Sequence, residues 1–542
     1  FSRHMKDGEE TSRSESGIGS SERETDRWAG TSISTNEKMD ASSIRKGSIR
    51  STESSYKKFA SHVALQPRTC REYATFSILV LINLLNYMDR YTVAGVLTQI
   101  QDYYHINDAQ AGLLQSVFMV TLLAFSPVCG YLGDRYNRKY IMVVGIAVWI
   151  MAVLASTFIP SDHFWAFCAM RGVVGVGEAS YAVISPSLIA DMFHGTLRSR
   201  MFMVFYFAIP VGSGLGYIVG SLVAGLTGSW EWGIRVTPIL GVISLALIIL
   251  FVHDCPRGQM EVNDPSRING KTHYWDDLKR LMTNATYVTS TIAYTAVVFV
   301  VGTLAWWVPS AILYAEADRL GYDSTDDLPA NESTRIFMVF GAITTVSGFV
   351  GVTIGTLGSN ALRKGSGCLK PVKTPRSDAI MCAIGAIIGF PTLFAVIQLI
   401  PTSQLWAYIC MFVCITGLCF NWAINVDLLM AVVPPSHRAT ANAVQISTSH
   451  LFGDGSGPYI IGAISDAIRG NDTSPHAHWE SLADAFYIPN AVLIISVLLF
   501  IVAALTFPRD RRRFLQEMGH VKTSDSGEGH DNASFVVEST KI

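Results

Sequence analysis

Two stretches of this 542-residue chain are near copies of each other and decide its fold. Residues 130–139 read Gly-Tyr-Leu-Gly-Asp-Arg-Tyr-Asn-Arg-Lys, and residues 355–364 read Gly-Thr-Leu-Gly-Ser-Asn-Ala-Leu-Arg-Lys. Both copies begin with Gly-x-Leu-Gly and end with Arg-Lys, and each one ends the second long apolar run of its half of the chain. A repeat at the same place in two halves indicates an internal duplication, so we expect two structurally related halves.

Charge is scarce between the two ends of the chain. Lys, Arg, Asp and Glu make up 15% of all residues, against about 25% in a typical soluble domain. Residues 1–71 hold 23 of these charges and residues 509–542 hold 12, which leaves about 11% for the 437 residues between them. Such long apolar runs exclude a water-soluble enzyme, and a net charge of −2 provides no basic surface for nucleic acid. The sequence therefore predicts a membrane protein.

Apolar runs of about 20 residues, the length that crosses a bilayer, occur twelve times. They predict an all-α membrane protein with a six-helix half at 72–252, a linker at 253–283 and a second six-helix half at 284–508. The polar ends, 1–71 and 509–542, are expected to be disordered tails, and the initial Phe1 indicates a fragment of a longer chain. The predicted spans 1 to 12 cover 75–97, 109–133, 138–159, 164–191, 198–226, 232–252, 284–315, 333–359, 378–400, 404–432, 438–467 and 485–507.

Basic residues gather in alternate loops and predict the orientation of the chain. Lys and Arg follow spans 2, 4, 8 and 12, whereas residues 107–110 and 161–163 contain neither. Because cytoplasmic loops are enriched in basic residues, both termini are expected in the cytoplasm. Asn331 and Asn471 begin Asn-x-Ser/Thr glycosylation motifs, and both fall in loops predicted on the opposite face.

The first copy of the repeat resembles the loop signature of the major facilitator superfamily, with Asn137 where Gly is usual. The signature residues here are Gly130, Gly133, Asp134, Arg135, Arg138 and Lys139. Gly130 and Gly133 are expected to let helices approach closely. Asp134 is expected to close the cytoplasmic side by meeting a helix N-terminus or a basic residue. Ser359 replaces this Asp in the second copy, so only the first copy can form the charged latch.

Longer stretches of the chain resemble the Spinster family within that superfamily. They cover 83–90, 171–181, 205–217 and 450–454, and the likeness extends from about residue 72 to 508. The resemblance implies an alternating-access transporter of lysophospholipids in late endosomes or lysosomes, or of sphingosine-1-phosphate at the cell surface. It also implies roles in proton coupling and substrate binding for Asp89, Arg171 and Glu178.

Those three residues are ionisable groups inside predicted spans, where charge is costly unless it is paired or hydrated. Arg171 and Glu178 are seven residues apart in span 4, so they share a helical face about 10 Å apart along the axis. We expect Asp89 of span 1 to lie between them. Protonation of the less well paired carboxylate would then free Arg171 for an anionic substrate. The alternative is a static ion pair that joins spans 1 and 4.

Polar and aromatic residues inside other spans are weaker candidates for lining or gating a cavity. His450 and Asp454 share one face of span 11, and either titrate or form a capping or packing pair near its cytoplasmic end. One of the two tryptophans of span 7 is expected in an interfacial aromatic belt and the other at the cavity. The full set is Arg90, Tyr181, Trp306, Trp307, Asn421, Asn425, His450 and Asp454.

The sequence contains no motif for a nucleophilic enzyme, a zinc protease, a phosphate-binding loop or a Cys/His metal site. We therefore expect no enzyme activity, no cofactor and no metal, and a monomer whose partners are a lipid and protons. A transporter of small polar solutes such as sugars or organic anions is the first rival. An intramembrane enzyme or receptor is the second.

Overall fold

The computed structural model describes residues 70–193, 195–252, 274–365, 371, 373–434 and 437–517. Within these ranges the regular elements are helices and no strand occurs. Residues 1–69, 253–273 and 518–542, which include most of both predicted tails and most of the predicted linker, lie outside the described residues. The all-α fold class predicted from the sequence is confirmed.

Each of the twelve predicted spans corresponds to a helix or to an interrupted helix. Short helices at Leu97–Tyr104, Tyr274–Met282 and Pro475–Ala485 lie between them. Spans 1 to 12 are Cys70–Ala94, Asp108–Arg135, Arg138–Ser156, Phe164–Met192, Gly195–Thr227, Trp230–Phe251, Ala285–Leu320, Ala330–Lys364, Ser377–Leu399, Gln404–Cys419 with Asn421–Val432, Arg438–Ser449 with His450–Asp454 and Gly457–Arg469, and Tyr487–Glu517.

Ten of these helical segments in the described part of the chain are long and apolar enough to cross a membrane by themselves. The other two are spans 1 and 11. Span 1 carries the internal charges Asp89 and Arg90, and span 11 is broken at its middle by a π-helical segment, His450–Asp454. Spans 1 and 11, which by length and composition are less suited to cross a membrane by themselves, both carry candidate functional residues.

Local signals in the sequence explain where several spans begin and end. Asn107 and Gln110 form a reciprocal capping box at the start of span 2, which satisfies two backbone N–H groups that no helical carbonyl can reach. Asn137 caps span 3 by accepting from the N–H of Lys139. Gly321 and Gly365 end spans 7 and 8 with φ of 75° and 68°, a left-handed conformation that suits glycine.

Two helical segments lie where the sequence predicts a tail and a linker. Span 12 continues to Glu517, and Tyr274–Met282 is helical within the predicted linker. The extension of span 12 has a physical cause, because the buried Asp510 accepts hydrogen bonds from the backbone N–H and the hydroxyl of Thr286, both at 2.9 Å. This contact anchors the end of span 12 to the start of span 7.

The bundle has two chemically different ends. We call the end with Arg135, Arg138 and Arg363 the basic end, and the end with Asp102 and Asp326 the acidic end. The two halves pack against each other from the middle of the bundle to the acidic end. In this region span 5 contacts span 8, and span 2 contacts span 11. The described structure is therefore closed at its acidic end.

Glycines permit this close packing between the halves. A Cβ on Gly214 of span 5 would lie 2.4 Å from the carbonyl oxygen of Gly341 in span 8. A Cβ on Gly112 of span 2 would lie 2.3 Å from the carbonyl oxygen of Pro458 in span 11. Such distances are shorter than real side-chain contacts, so backbone-to-backbone approach here requires glycine.

The residues of the loop signature make contacts within the first half at the basic end. Arg138 forms an ion pair with Asp191 at the end of span 4, at 2.5 Å, and Lys139 donates to the carbonyl oxygen of Ile249 at 2.7 Å. Arg135 lies 3.8 Å from the ring centre of Tyr131. In the second copy, the matching Arg363 pairs with Asp378 at the start of span 9, at 2.5 Å, so both arginines are paired but with partners on non-equivalent spans.

The signature glycines pack less tightly than those in the middle of the bundle. A Cβ on Gly130 or Gly133 would lie 3.6 Å and 3.4 Å from side chains of span 4, which are ordinary contact distances. The side chain of Asp134 lies outside the described part of the structure. Its proposed latch at the basic end stays a prediction.

Candidate functional site

Asp89 is the centre of a buried polar cluster within the first half. Its carboxylate accepts a hydrogen bond from the hydroxyl of Thr237 at 2.6 Å and one from the indole N–H of Trp149 at 3.3 Å. Nη1 of Arg171 lies 3.5 Å from the same carboxylate, and both side chains are 2% exposed. Spans 1, 3, 4 and 6 therefore converge on one ion pair.

Arg171 keeps unused donors in this cluster. Its Nε and Nη2 atoms are buried and have no hydrogen-bond partner among the described residues, and its guanidinium lies 5.6 Å from the ring centre of Phe118. Buried donors are almost always paired in folded proteins. Arg171 therefore carries two unsatisfied donors in the described structure.

Glu178 lies on the same helix as Arg171 but in a different environment. It is 8% exposed, and no hydrogen bond or close ion pair joins it to another residue in the described ranges. The cationic Arg90 lies close enough to Glu178 for the two charges to interact. Asp89 forms an ion pair with Arg171, as the sequence predicts, and its position between Arg171 and Glu178 stays a prediction.

Arg90 connects Glu178 to the second half of the molecule. Its guanidinium lies 4.7 Å from the ring centre of Phe118 and 3.0 Å from the sulfur of Met119. The charge of Arg90 interacts with both Glu178 and Asp454, and that of Glu178 with His450. Charged groups of both halves therefore face one another at the middle of the bundle.

The break in span 11 positions this second-half pair. Nδ1 of His450 lies 3.0 and 3.1 Å from the two carboxylate oxygens of Asp454, and His450 retains 36% exposure of its side chain. Gly453 between them has non-helical dihedral angles. His450 and Asp454 do form the predicted pair, but the prediction that it lies near the cytoplasmic end of span 11 is wrong, because the π-helical segment lies at the middle of that span.

The two tryptophans of span 7 are buried in the bundle. Trp306 and Trp307 are 1% and 0% exposed, and the indole N–H of Trp307 donates to the carbonyl oxygen of Pro458 at 2.9 Å. The expectation that one of them lies in an interfacial belt is therefore wrong. Span 7 is buried along most of its length, so its aromatic residues pack against neighbouring helices.

The remaining candidates have structural contacts. The hydroxyl of Tyr181 donates to the carbonyl oxygen of Leu79 at 2.9 Å and ties span 4 to span 1. Asn425 donates to Gln445, which donates to Thr291, so spans 10, 11 and 7 share one buried chain of hydrogen bonds. Asn421 donates to the carbonyl oxygen of Leu418 within span 10. Asn331 and Asn471 are exposed on the acidic end.

A charged contact between the halves was not predicted from the sequence. Asp108, at the start of span 2, is 0% exposed and lies 2.5 Å from Nη1 of Arg469 at the end of span 11. The carboxylate of Asp466 accepts from the backbone N–H groups of Asp108 and Ala109 at 3.1 and 2.7 Å. We call Asp108, Asp466 and Arg469 the acidic-end latch. Charged residues are common at the ends of membrane spans. Only the contacts in the folded structure distinguish these three residues from other charged residues at span ends.

Breaking the acidic-end latch is expected to open that end. Arg469→Gln removes the arginine partner of buried Asp108 and leaves only His478, at 3.7 Å, as a possible cation among the described residues; loss of one partner of a buried pair costs about 3–5 kcal/mol. Spin labels at the exposed residues Asp162 and Glu480 should then report a longer distance. Arg335→Gln, which removes an exposed pair with Glu332 at the same end, is the matched control. An unchanged distance distribution in Arg469→Gln would show that the latch does not hold the closed state.

A cavity of about 600 Å³ lies beside the latch, between the halves at the acidic end. Its walls come from the end of span 1 and the following short helix, the junction of spans 5 and 6, and the start of span 8. Asp102, Glu231 and Asp326 supply carboxylates to the cavity. Asp102 keeps solvent contact in the cavity, yet the surrounding protein raises its pKa to about 6.

Closure of the acidic end should therefore depend on pH. Partial loss of hydration in the cavity is the main cause of the raised pKa of Asp102, with the nearby charge of Asp326 adding to it and His478 and His105 opposing it. A raised carboxyl pKa means that the closed form takes up a proton, so its added stability is present at low pH and lost as pH rises through about 6.

The same spin-label pair tests this pH dependence. The closed fraction should be larger at pH 5 than at pH 7.5 in the unmodified protein. Asp102→Asn mimics the protonated side chain and should keep the high closed fraction at both pH values. A pH response of equal size in Asp102→Asn would assign the effect to another group.

The profile of the Major Facilitator Superfamily matches residues 79–458. Protein spinster homolog 1 of Rattus norvegicus is 44% identical over 447 residues, which cover 82% of this chain and 83% of the rat protein. This chain belongs to the Spinster family of the major facilitator superfamily. The resemblance predicted from the sequence is confirmed.

Other relatives extend the comparison. The Spinster-family protein named Sphingosine-1-phosphate transporter SPNS2 of Xenopus tropicalis is 42% identical over 442 residues, 81% of this chain and 83% of the frog protein. Among solved structures, an inward-facing, unoccupied bacterial homologue of the human lysosomal transporter Spinster aligns with a TM-score of 0.68. It is 19% identical and covers 82% of this chain and 99% of its own, so it shows the shared fold. A Spinster protein of this superfamily is a transporter and not an enzyme.

Proposed function

We propose that this protein transports single-chain phospholipids, specifically lysophosphatidylcholine or lysophosphatidylethanolamine, in exchange for or together with protons. The observation that carries the proposal is Arg171, a buried arginine that pairs with Asp89 and has two donor atoms without a partner among the described residues. Arg binds phosphate groups through its planar set of N–H donors. An acyl chain suits the apolar side chains that surround these charges, such as Phe118 and Met119.

Glu178 is the proposed site of proton uptake. As an anion it is a buried carboxylate that lacks a hydrogen-bond partner, a costly state that protonation removes. Protonation would also remove the negative charge that Arg90 faces. Because Arg90 interacts with both Glu178 and Asp454, neutral Glu178 would leave the carboxylate of Asp454 in the second half to compete alone for Arg90, which couples the proton to the relative position of the halves.

Asp89 has a second role in this proposal. Its carboxylate is held by Thr237, Trp149 and Arg171, so it competes with the substrate phosphate for the guanidinium of Arg171. Substrate binding that weakens the Asp89–Arg171 contact would in turn favour protonation of Asp89. The alternative is that Asp89 and Arg171 form a static ion pair. In that case transport would not depend on pH.

The proposed compartment is the late endosome or lysosome membrane, with both termini and the basic end in the cytoplasm. In this orientation the described structure is closed toward the lumen. The basic end carries Arg135, Arg138, Lys139, Arg363 and Lys364, as expected for cytoplasmic loops, and the acidic end carries the two glycosylation motifs. We propose that the protein acts as a monomer.

Sphingosine-1-phosphate is the second candidate substrate, favoured by the printed name of the frog relative. It shares a phosphate, an ammonium group and a single chain with the lysophospholipids, so the same arginine would serve both. A small polar solute such as a sugar is the third candidate.

Competition between labelled and unlabelled solutes separates these candidates. Purified protein in liposomes should take up labelled lysophosphatidylcholine, and excess unlabelled lysophosphatidylethanolamine should suppress that uptake. Stronger suppression by sphingosine-1-phosphate would favour the second candidate. Uptake of xylose together with no uptake of either lipid would refute lipid transport. In cells that lack the protein, the lysolipid that accumulates and the compartment that holds it give an independent answer.

A further inference from the structure

A smaller cavity lies at the basic end of the second half, where Arg511 of span 12 interacts with the charge of Arg363. It has a volume of about 110 Å³, and its walls come from the short helix Tyr274–Met282 and from the ends of spans 10 and 12. We call this cavity the basic-end pocket. Arg280 and Arg513 line it, and both are exposed, so a ligand can reach them from water. The volume suits a group of the size of a single phosphate.

The arginines near this pocket differ in their contacts. Arg438 donates to the carbonyl oxygen of Met430 at 2.7 Å, and Arg511 donates to the carbonyl oxygen of Ala431. Both therefore satisfy carbonyl groups at the end of span 10, which have no partner within the helix. Arg513 makes no hydrogen bond or ion pair with any residue in the described ranges. A role in the fold thus accounts for Arg438 and Arg511, and the guanidinium of Arg513 is available to a ligand.

One carboxylate also lines the pocket, and its oxygens already have partners. Asp510 is 2% exposed, and its Oδ2 accepts from the backbone N–H and the hydroxyl of Thr286, both at 2.9 Å. Its Oδ1 lies 3.5 Å from Nε of Arg509. The arginines Arg280, Arg509 and Arg513 therefore outnumber this single carboxylate. The net positive charge favours an anionic ligand.

Span 12 leads from the bilayer directly to this pocket. Leu505, Arg509 and Arg513 follow one another at intervals of four residues, so they lie along one side of the helix. Leu505 is 63% exposed, and the side chain of Arg509 is 60% exposed. Met282, which follows the lining residue Leu281, is also exposed. A phospholipid with its phosphate at Arg513 would therefore find apolar surface for its acyl chains about two helical turns further into the membrane.

We propose that the basic-end pocket binds the headgroup phosphate of an anionic phospholipid of the surrounding bilayer, a phosphate monoester such as that of phosphatidic acid. Arginine binds phosphate through parallel N–H donors, and a phosphate monoester carries a charge of about −1.5 to −2 near neutral pH. Arginines clustered directly after a membrane span are typical of sites for anionic lipids. The bound lipid would join the short helix before span 7 to the end of span 12. This lipid is part of the bilayer, so the site does not depend on which solute is transported.

Lipid binding to the purified full-length protein tests this site. Native mass spectrometry of the protein titrated with phosphatidic acid, or with phosphatidylcholine of the same acyl chains, gives the two dissociation constants. The unmodified protein should bind phosphatidic acid more tightly. Arg280→Gln/Arg513→Gln should weaken that binding about tenfold and leave phosphatidylcholine binding unchanged, because it removes charge-assisted hydrogen bonds to the phosphate. The matched control is Lys279→Gln/Arg512→Gln, which removes two exposed positive charges from the same two helices next to the pocket lining.

Three results would overturn the proposal. The first is an equal loss of phosphatidic acid binding in the pocket variant and the control, because general attraction to basic side chains does not distinguish neighbouring positions. The second is equal affinity of the unmodified protein for the two lipids. The third is displacement of phosphatidic acid by an equal concentration of glycerol 3-phosphate, which carries the same phosphate without acyl chains and would assign the pocket to a soluble phosphate.

A single substitution guards against a folding defect in the double variant. Arg513 is exposed and contacts no described residue through a hydrogen bond or ion pair, so Arg513→Gln should unfold at the same temperature as the unmodified protein in phosphatidylcholine alone. It should still lose most of the preference for phosphatidic acid. Full retention of that preference in a folded Arg513→Gln protein would also contradict the proposal.

Discussion

Glu178→Gln is expected to abolish accumulation of lysophospholipid driven by a pH gradient while leaving exchange of lipid across the membrane intact. Gln keeps the size and hydrogen-bonding capacity of the side chain but cannot titrate. Each pH unit of gradient supplies about 1.4 kcal/mol per coupled proton, so two units support accumulation of up to about a hundredfold. The variant should accumulate no more lipid than equilibration allows.

Lysophospholipid uptake into proteoliposomes, with and without an imposed gradient, measures this effect. Asp89→Asn should have the same consequence if both carboxylates take part in the cycle. Glu332→Gln, which removes an exposed carboxylate paired with Arg335, is the control and should retain full accumulation. Gradient-driven uptake that survives both Glu178→Gln and Asp89→Asn would favour the static ion pair.

Arg171→Gln is the second change with a large expected effect. It removes the proposed phosphate ligand and leaves Asp89 buried without its cation, so transport should be lost and the protein should unfold at a lower temperature. Loss of one partner of a buried pair costs about 3–5 kcal/mol. Uptake of labelled lysophosphatidylcholine and a thermal unfolding curve give the two measurements.

A double variant separates the two consequences of Arg171→Gln. Asp89→Asn/Arg171→Gln removes both charges, so it should recover much of the lost thermal stability and still fail to bind the lipid. Arg235→Gln, on span 6 at the acidic end of the same half, is the control arginine because it bonds only to Thr157 and the aromatic residues beside it. Lipid transport by the stabilised double variant would mean that Arg171 serves the fold alone.

The fold could be predicted because its signals are carried by long segments of sequence. The repeated loop at 130–139 and 355–364, the apolar runs and the pattern of basic loops each extend over many residues, and errors of a few residues at a helix end do not change them. The interruption of span 11 was harder to predict, because residues 438–467 have a composition compatible with one helix. The interruption depends on local features. Gly453 has non-helical dihedral angles, and Asp454 packs closely against Gly302 of span 7.

The candidate site was predicted only in part, since side-chain partners depend on how each helix is rotated. Asp89, Arg171 and Glu178 are conspicuous as charges within spans, and the structure does bring Asp89 to Arg171. The sequence could not show that Arg90 would face Glu178 or that Thr237 and Trp149 would hold Asp89. Asp108 and Arg469 were missed for a related reason: a charge at a span end has many possible partners in water.

The account depends on proton-coupled movement of a single-chain phospholipid. The most direct test records both fluxes in the same proteoliposomes, labelled lysophosphatidylcholine and the internal pH reported by an enclosed dye. We predict that addition of the lipid changes the internal pH, and that an imposed pH gradient drives lipid accumulation that Glu178→Gln abolishes. Lipid uptake at the same rate and extent with and without a gradient, and without any change of internal pH, would contradict the account.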